Sequence, residues 1–273
     1  MIGYIKLIIL CVIQAFASRC QMEISKSKIS RYAQLRNKKF RKEYGLFVAE
    51  GHKVVRDTLG NFGLEALVAT NGWLGQNEDI VSSLPEEKVF SAKRDAINKI
   101  SSLSDSPDVI AVYVIPDRQF DFSEPLTDEM YLVIDGVQDP GNLGTIIRTA
   151  HWFGLRRVFC STDCVDCYNP KTVQSTMGSL AAVEVVYCDI EDLMLSNPSL
   201  PRYGLQLDGE DIFKVDSFVP GFIIMGREGR GIRQNISALI TRSLLIPPAD
   251  PDNHPDSLNV AVATAITLSH MIK

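Results

Sequence analysis

Six short apolar runs in the C-terminal half of this sequence restrict its fold more than any other feature. They lie at residues 131–135, 157–160, 183–187, 203–207, 222–225 and 244–246. Stretches with helical periodicity separate or follow them, at 143–153, 171–179, 190–195 and 257–272. Runs such as Phe222-Ile-Ile-Met are apolar at successive rather than alternate positions, so both faces of each strand need a cover. Helical spacers let successive strands run parallel, and the pattern predicts an α/β fold with a mostly parallel sheet. Functional groups in such sheets collect beyond the carboxyl ends of the strands. The loops after 131–135, 222–225 and 244–246 are therefore where chemistry is expected.

The N-terminal half has a second, smaller α/β pattern. Residues 45–51 read as a short strand ending in a turn, and 52–59 as a helix closed by Gly60. Strands are predicted at 64–69, 88–90 and 109–115, with a helix at 92–103. Residues 116–129 (PDRQFDFSEPLTDE) contain two prolines and no periodicity, which marks a linker. The expected organisation is a domain at 22–115, the linker at 116–129 and a larger domain at 130–273. With 273 residues, 45% of them hydrophobic, the chain has enough apolar material for a sizeable core.

Residues 1–21 (MIGYIKLIILCVIQAFASRCQ) combine Lys6 with a short apolar stretch and small residues before Cys20. They resemble a signal or lipoprotein leader, although the apolar run is too short for a spanning helix. Met22 opens the segment that follows, so a start assigned too far upstream is the favoured expectation, ahead of export or a structured extension.

Charge is distributed unevenly. The chain carries a net −5, yet residues 22–44 hold Lys26, Lys28, Arg31, Arg36, Lys38, Lys39, Arg41 and Lys42 against only Glu23 and Glu43. Their spacing is helical, with Tyr32, Leu35 and Phe40 on the apolar side. A basic face on an acidic body fits either a polyanionic partner or a solvated helix surface. The six cysteines include Cys164-x-x-Cys167 with Cys160 nearby, but no second close pair or His cluster completes a zinc set. They read as buried thiols, and no metal is expected.

Three loops carry candidate functional groups. In the first, DGVQDPGN (135–142) leads into LGTIIRTA, where Leu143, Ile146, Ile147 and Ala150 form the buried stripe of a helix. Asn142 falls where a cap is expected, and Arg148 projects away from the stripe. The second, MGREGRGI (225–232), follows an apolar strand; its glycines permit close backbone approach to a ligand. It matches neither a dinucleotide fingerprint nor a P-loop. The third runs from LLIPP (244–248) to DSLNVAVATAI (256–266), in which Asp256 or Ser257 would cap a long helix with Asn259 one turn in. Each loop alone is compatible with a purely structural role.

Taken together, the three loops resemble the SpoU, or TrmH-like, family of RNA 2′-O-ribose methyltransferases. The resemblance extends from about residue 25 to 271 and includes the stretch DCYNPKTVQSTMGSL (166–180). It implies an N-terminal RNA substrate-binding domain, a C-terminal trefoil knot, homodimers with sites completed across the interface, and S-adenosylmethionine as methyl donor. Donor-binding positions carried over from the family are Met225, Gly226, Glu228, Gly229, Ile246, Leu258 and Asn259. Catalytic positions are Arg148, Asn142, Glu228, Ser257 and Asn259, and Lys38, Lys39, Arg41 and Lys42 are the expected RNA contacts. The sequence departs from the family in having Asp256 where glutamate is common, a longer 249–255 loop containing His254, and Arg227 where a smaller polar residue is frequent. The implied activity is methyl transfer to a ribose hydroxyl of ribosomal or transfer RNA in the cytoplasm, without metal or membrane. An RNA-binding protein of the same fold that has lost turnover is the alternative.

Overall fold

A computed structural model describes residues 22–117, 120, 126–127, 129–227 and 229–272. Expectations for residues 1–21 and for Glu228 fall outside these described residues.

The N-terminal part comprises β1 (Met22–Glu23), α1 (Lys26–Ala33), α2 (Lys38–Tyr44), β2 (Leu46–Glu50), α3 (His52–Thr58) and β3 (Leu64–Ala69). It continues through α4 (Asn71–Gln76), α5 (Glu78–Ser82), β4 (Val89–Ser91), α6 (Arg94–Ile100) and β5 (Val109–Val114). Its five strands form a mixed sheet in the order β1-β4-β3-β5-β2. Strand β5 is antiparallel to both of its neighbours.

The basic segment is two helices with an elbow between them, rather than one continuous helix. Ser25 caps α1 and Asn37 caps α2, whose far end is closed by Gly45 at φ +62°. Lys38, Lys39 and Lys42 are exposed on α2. Arg41 is not, contrary to its expected RNA-facing role. Its side chain is 2% exposed and paired with Asp166 at 2.6 Å, because on the short α2 it falls on the face turned toward the C-terminal half.

The C-terminal part follows as β6 (Tyr131–Ile134), α7 (Pro140–Trp152), β7 (Arg157–Ser161), α8 (Pro170–Thr176), β8 (Glu184–Cys188) and α9 (Ile190–Leu195). It then runs through β9 (Arg202–Asp211), β10 (Phe222–Met225), α10 (Gln234–Ser237), β11 (Arg242–Leu245) and α11 (Val260–Met271). The six strands lie in the order β11-β9-β10-β6-β7-β8. Every pairing is parallel, as the continuous apolar runs required.

Leu143, Ile146, Ile147 and Ala150 are fully buried beneath α7. Their cluster extends without a break into Phe47, Leu67, Ala111 and Tyr113 of the N-terminal sheet. Tyr168 reinforces this junction by packing on Phe47, ring centroids 4.7 Å apart. The N-terminal sheet therefore shares a core with the C-terminal one, which restrains motion between them. Cys160, Cys164, Cys167 and Cys188 are buried free thiols. Among the described residues, no helix is long and apolar enough to cross a membrane, and no three His, Cys, Asp or Glu side chains are grouped to hold a metal ion.

Candidate active site

Strands β6 and β10 are parallel neighbours, so their carboxyl ends deliver the 135–142 loop and the 226–232 loop to the same edge of the sheet. Asp139, rather than Asn142, caps α7: its Oδ1 accepts from the Asn142 backbone N–H at 2.9 Å. Pro140 supplies a preset φ in the first turn, so the helix starts earlier than the apolar stripe suggests. That N–H bond is the main reason the Asp139 carboxyl is held below the usual carboxylate range. Asn142 is thereby released from capping, half-buried inside the first turn.

A comparable shift occurs at the last helix. Asn259, not Asp256 or Ser257, caps α11, its Oδ1 accepting from Ala261 and Val262 N–H at 3.0 and 3.2 Å. Its amide nitrogen then donates to Asn142 Oδ1 at 3.0 Å. One hydrogen bond thus joins the first and third loops across 117 residues of sequence. Asp256, Ser257 and Leu258 lie before the helix and line a cleft instead.

That cleft has a volume of about 480 Å³, within the range of small-molecule sites. Met225, Gly226, Gly229, Ile246, Ser257 and Leu258, all expected at the donor or reaction site, line it. Glycine is required at 226 by space: a Cβ there would sit 2.2 Å from the Gly231 carbonyl carbon and 2.3 Å from Ile232 N. The backbone of the glycine loop closes on itself through Arg227 N–H to Gly231 O at 3.1 Å and Gly231 N–H to Arg227 O at 2.9 Å. An adjoining cavity of about 380 Å³ is lined by Gly136, Gln138, Asp139 and Asn142. Arg227, Arg230 and Val260 border both spaces.

Arg148 is exposed on α7, six residues beyond Asn142, or about 9 Å along the helix axis. Its guanidinium makes no hydrogen bond or ion pair with the described residues, and it lines neither cavity within a single chain. Ala261 is buried within its own chain, whereas the outer face of α11 leaves Val262 half-exposed, with Leu258 and Leu207 exposed along the cleft. His254 is exposed in its loop.

Sequence reading missed the charged groups that brace the site. Asp135 is fully buried; its Oδ2 accepts from Arg233 N–H at 2.8 Å and its Oδ1 from Arg233 Nε at 2.6 Å. Asp163 Oδ2 accepts from Arg227 Nη2 at 2.7 Å. The Ser161 hydroxyl, and then Arg233 and Arg227, hold the Asp163 carboxyl below its ordinary range. Only Arg227 carried a signal in the sequence, as a departure from the family pattern.

The SpoU rRNA Methylase family profile matches residues 129–269, half of the chain. The chain belongs to this family. An MRM3-like substrate binding domain profile matches residues 26–111. The chain is 28% identical over 258 residues to the 23S rRNA (guanosine(2553)-2′-O)-methyltransferase RlmP of Bacillus subtilis, covering 92% of this chain and 98% of that protein. Its fold is similar to a TrmH-family protein from Porphyromonas gingivalis, with TM-score 0.79, 35% identity, and 90% and 97% of the two chains covered. It is also similar to an AdoMet-bound rRNA methyltransferase from Sinorhizobium meliloti, with TM-score 0.78, 26% identity, and 91% and 95% covered. Membership in the SpoU family accounts for the conjunction of the three loops at one sheet edge.

Proposed function

We propose that the chain transfers a methyl group from S-adenosylmethionine to a ribose 2′-hydroxyl of ribosomal RNA. The observation that carries this reading is the Asn142–Asn259 hydrogen bond, which closes the first and third loops beside the glycine-lined cleft. When bound, S-adenosylmethionine supplies an electrophilic methyl group on a positively charged sulfur. The cleft suits such a donor, with Gly226, Gly229, Gly231 and residues 256–258 beside apolar walls from Leu244, Ile246 and Ala263.

The residues then divide the work. Asn142 and Asn259 orient the ribose. Ser257 stands in the hydroxyl's neighbourhood, and Glu228 organises the site. The Arg148 guanidinium fixes the adjacent phosphate and stabilises negative charge developing on the hydroxyl oxygen. Because Arg148 lines neither cavity of its own chain, we assign it to the cleft of a second copy in a homodimer. The exposed Trp152, one turn beyond it, and Val262 on α11 supply apolar surface for that pairing. We further assign residues 22–115 to RNA binding, 116–129 to a linker and 130–273 to catalysis, with the knot implied by the family formed from the segments of the second and third loops. We assign the reaction to the cytoplasm, where RNA and the methyl donor are both present.

Incubation with ribosomal RNA and donor labelled in its methyl group is expected to label the RNA. RNA left unlabelled, with binding retained, would favour a protein that keeps the fold without turnover. For the exposed lysines of α2, neutralising Lys38, Lys39 and Lys42 together is expected to weaken RNA binding. It should also reduce the steepness of the log K against log salt plot by about one unit per lost phosphate contact. An unaltered slope would make these lysines a solvated surface.

A further inference from the structure

We propose that the loop between β7 and α8, residues 162–169, is a positioning element holding the RNA-facing helix α2 and both reactant loops in fixed register. Asp163 and Asp166 are its positioning residues. The proposal rests on reading the glycine-lined cleft as the donor site.

Three sets of contacts leave this loop in three directions. Toward the N-terminal part, Asp166 Oδ2 accepts from Arg41 Nε at 2.9 Å and Nη2 at 2.6 Å. The remaining nitrogen, Nη1, donates to Leu35 O at 2.8 Å and Arg36 O at 3.0 Å. The same guanidinium therefore fixes the elbow between α1 and α2 and ties it to the C-terminal sheet. Asp166 is itself oriented, its Oδ1 accepting from Tyr168 N–H at 2.9 Å. The exposed Lys38, Lys39 and Lys42 share α2 with Arg41, so their distance from the site is set through this ion pair.

Toward the first reactant loop, Val165 N–H donates to Val137 O at 2.9 Å, and Gln138 Nε2 donates to Asp163 O at 3.3 Å. Ser161 Oγ, at the end of β7, accepts from Gly136 N–H at 2.9 Å and donates to Asp163 Oδ1 at 2.6 Å. These bonds hold the backbone that leads to Asn142.

Toward the glycine loop, Asp163 takes the Arg227 guanidinium at 2.7 Å and stands 3.6 Å from that of Arg233. The two arginines lie on either side of the 229–232 segment, and Asp135 holds Arg233. Arg227 also lies flat against Gly136, where a Cβ would meet its Nη2 at 2.6 Å. A carboxylate at 163 thus anchors the turn that lines the donor cleft while itself lying outside the cleft lining.

The two carboxylates predict separable defects in the full-length protein. Asp163→Asn removes the charge facing Arg227 and is expected to weaken S-adenosylmethionine binding about fivefold, measured calorimetrically without RNA. Its KM for RNA should stay within about twofold of wild type. Asp163→Glu, which keeps the charge, should recover most of the donor affinity. Asp166→Asn should leave donor affinity unchanged and raise KM for RNA about tenfold. If Asp166→Asn does not fold, Arg41→Lys replaces it, retaining the charge but losing the two-pronged grip. A purely structural role would instead lower thermal stability and both affinities in parallel, and that pattern would overturn the proposal. Donor binding by Asp163→Asn equal to wild type would overturn it too. Failure of the wild-type protein to bind S-adenosylmethionine would overturn the donor-site reading beneath it.

Discussion

Arg148→Ala is expected to lower methyl transfer by about 10²–10³-fold, the usual cost of removing one group that stabilises charge in the transition state. Donor affinity and thermal stability should stay near wild type. Arg148 is exposed and has no partner among the described residues, so its loss leaves no buried group unsatisfied. Surface changes of this kind shift stability by no more than about 0.5 kcal/mol. Single-turnover rates with calorimetric donor titration separate the two effects. Weakened donor binding with an intact chemical step would assign Arg148 to the donor instead. Mixing Arg148→Ala with a second variant defective only in the glycine loop adds a test of the homodimer. If Arg148 serves its partner's cleft, the mixed dimers recover one working site.

The second large effect is expected from Gly226→Ala. The added methyl would lie 2.2–2.5 Å from Gly231 C, Ile232 N and Gly231 O. All three are backbone atoms, which cannot swing aside as a flexible side chain could. The loop must separate from the end of β10, and forced packing of this type costs about 1–3 kcal/mol. Falling on the donor cleft, this corresponds to about 5- to 150-fold in affinity. Gly72→Ala is the matched control, since a Cβ there meets nothing within 4 Å. The comparison is made by donor titration, and equal affinities for the two variants would remove the glycine loop from the binding site.

The architecture was legible because strands covered on both faces have a plain signature. Val109 to Val114 and Phe222 to Met225 contain no polar interruption, and each forms a strand. Helices α4 and α5 escaped because Gly72 and Gly75 break the periodicity of a short segment. What starts α4 is Thr70, whose Oγ1 accepts from Trp73 N–H at 3.2 Å and whose carbonyl accepts from Leu74 N–H at 3.0 Å. Cap assignments slipped for a related reason. Asp139 and Asn142 are both good caps, and Asp256, Ser257 and Asn259 compete within four residues. Composition cannot decide which one has its backbone in the geometry that accepts the first free N–H groups.

At the site, Gly226, Gly229, Ile246, Ser257 and Leu258 lie in local motifs, whereas Leu205–Asp208 of the cleft lining and the charged groups bracing it do not. Arg41 illustrates the difference. Counted as charge it belongs with Lys38, Lys39 and Lys42, but its partner Asp166 lies 125 residues away and draws it into the interior. Arg227 with Asp163 and Arg233 with Asp135 are separated by 64 and 98 residues. No spacing rule connects such pairs, since only the parallel order of β6, β7 and β10 brings them to one edge.

If the reacting atom is a ribose 2′-oxygen, nucleoside-level mass spectrometry of RNA methylated by the purified protein will find the transferred methyl on the sugar after the base is cleaved off, and the adjoining phosphodiester will resist alkali. A methyl group released with the base, or an alkali-labile linkage at the modified nucleotide, would contradict that assignment.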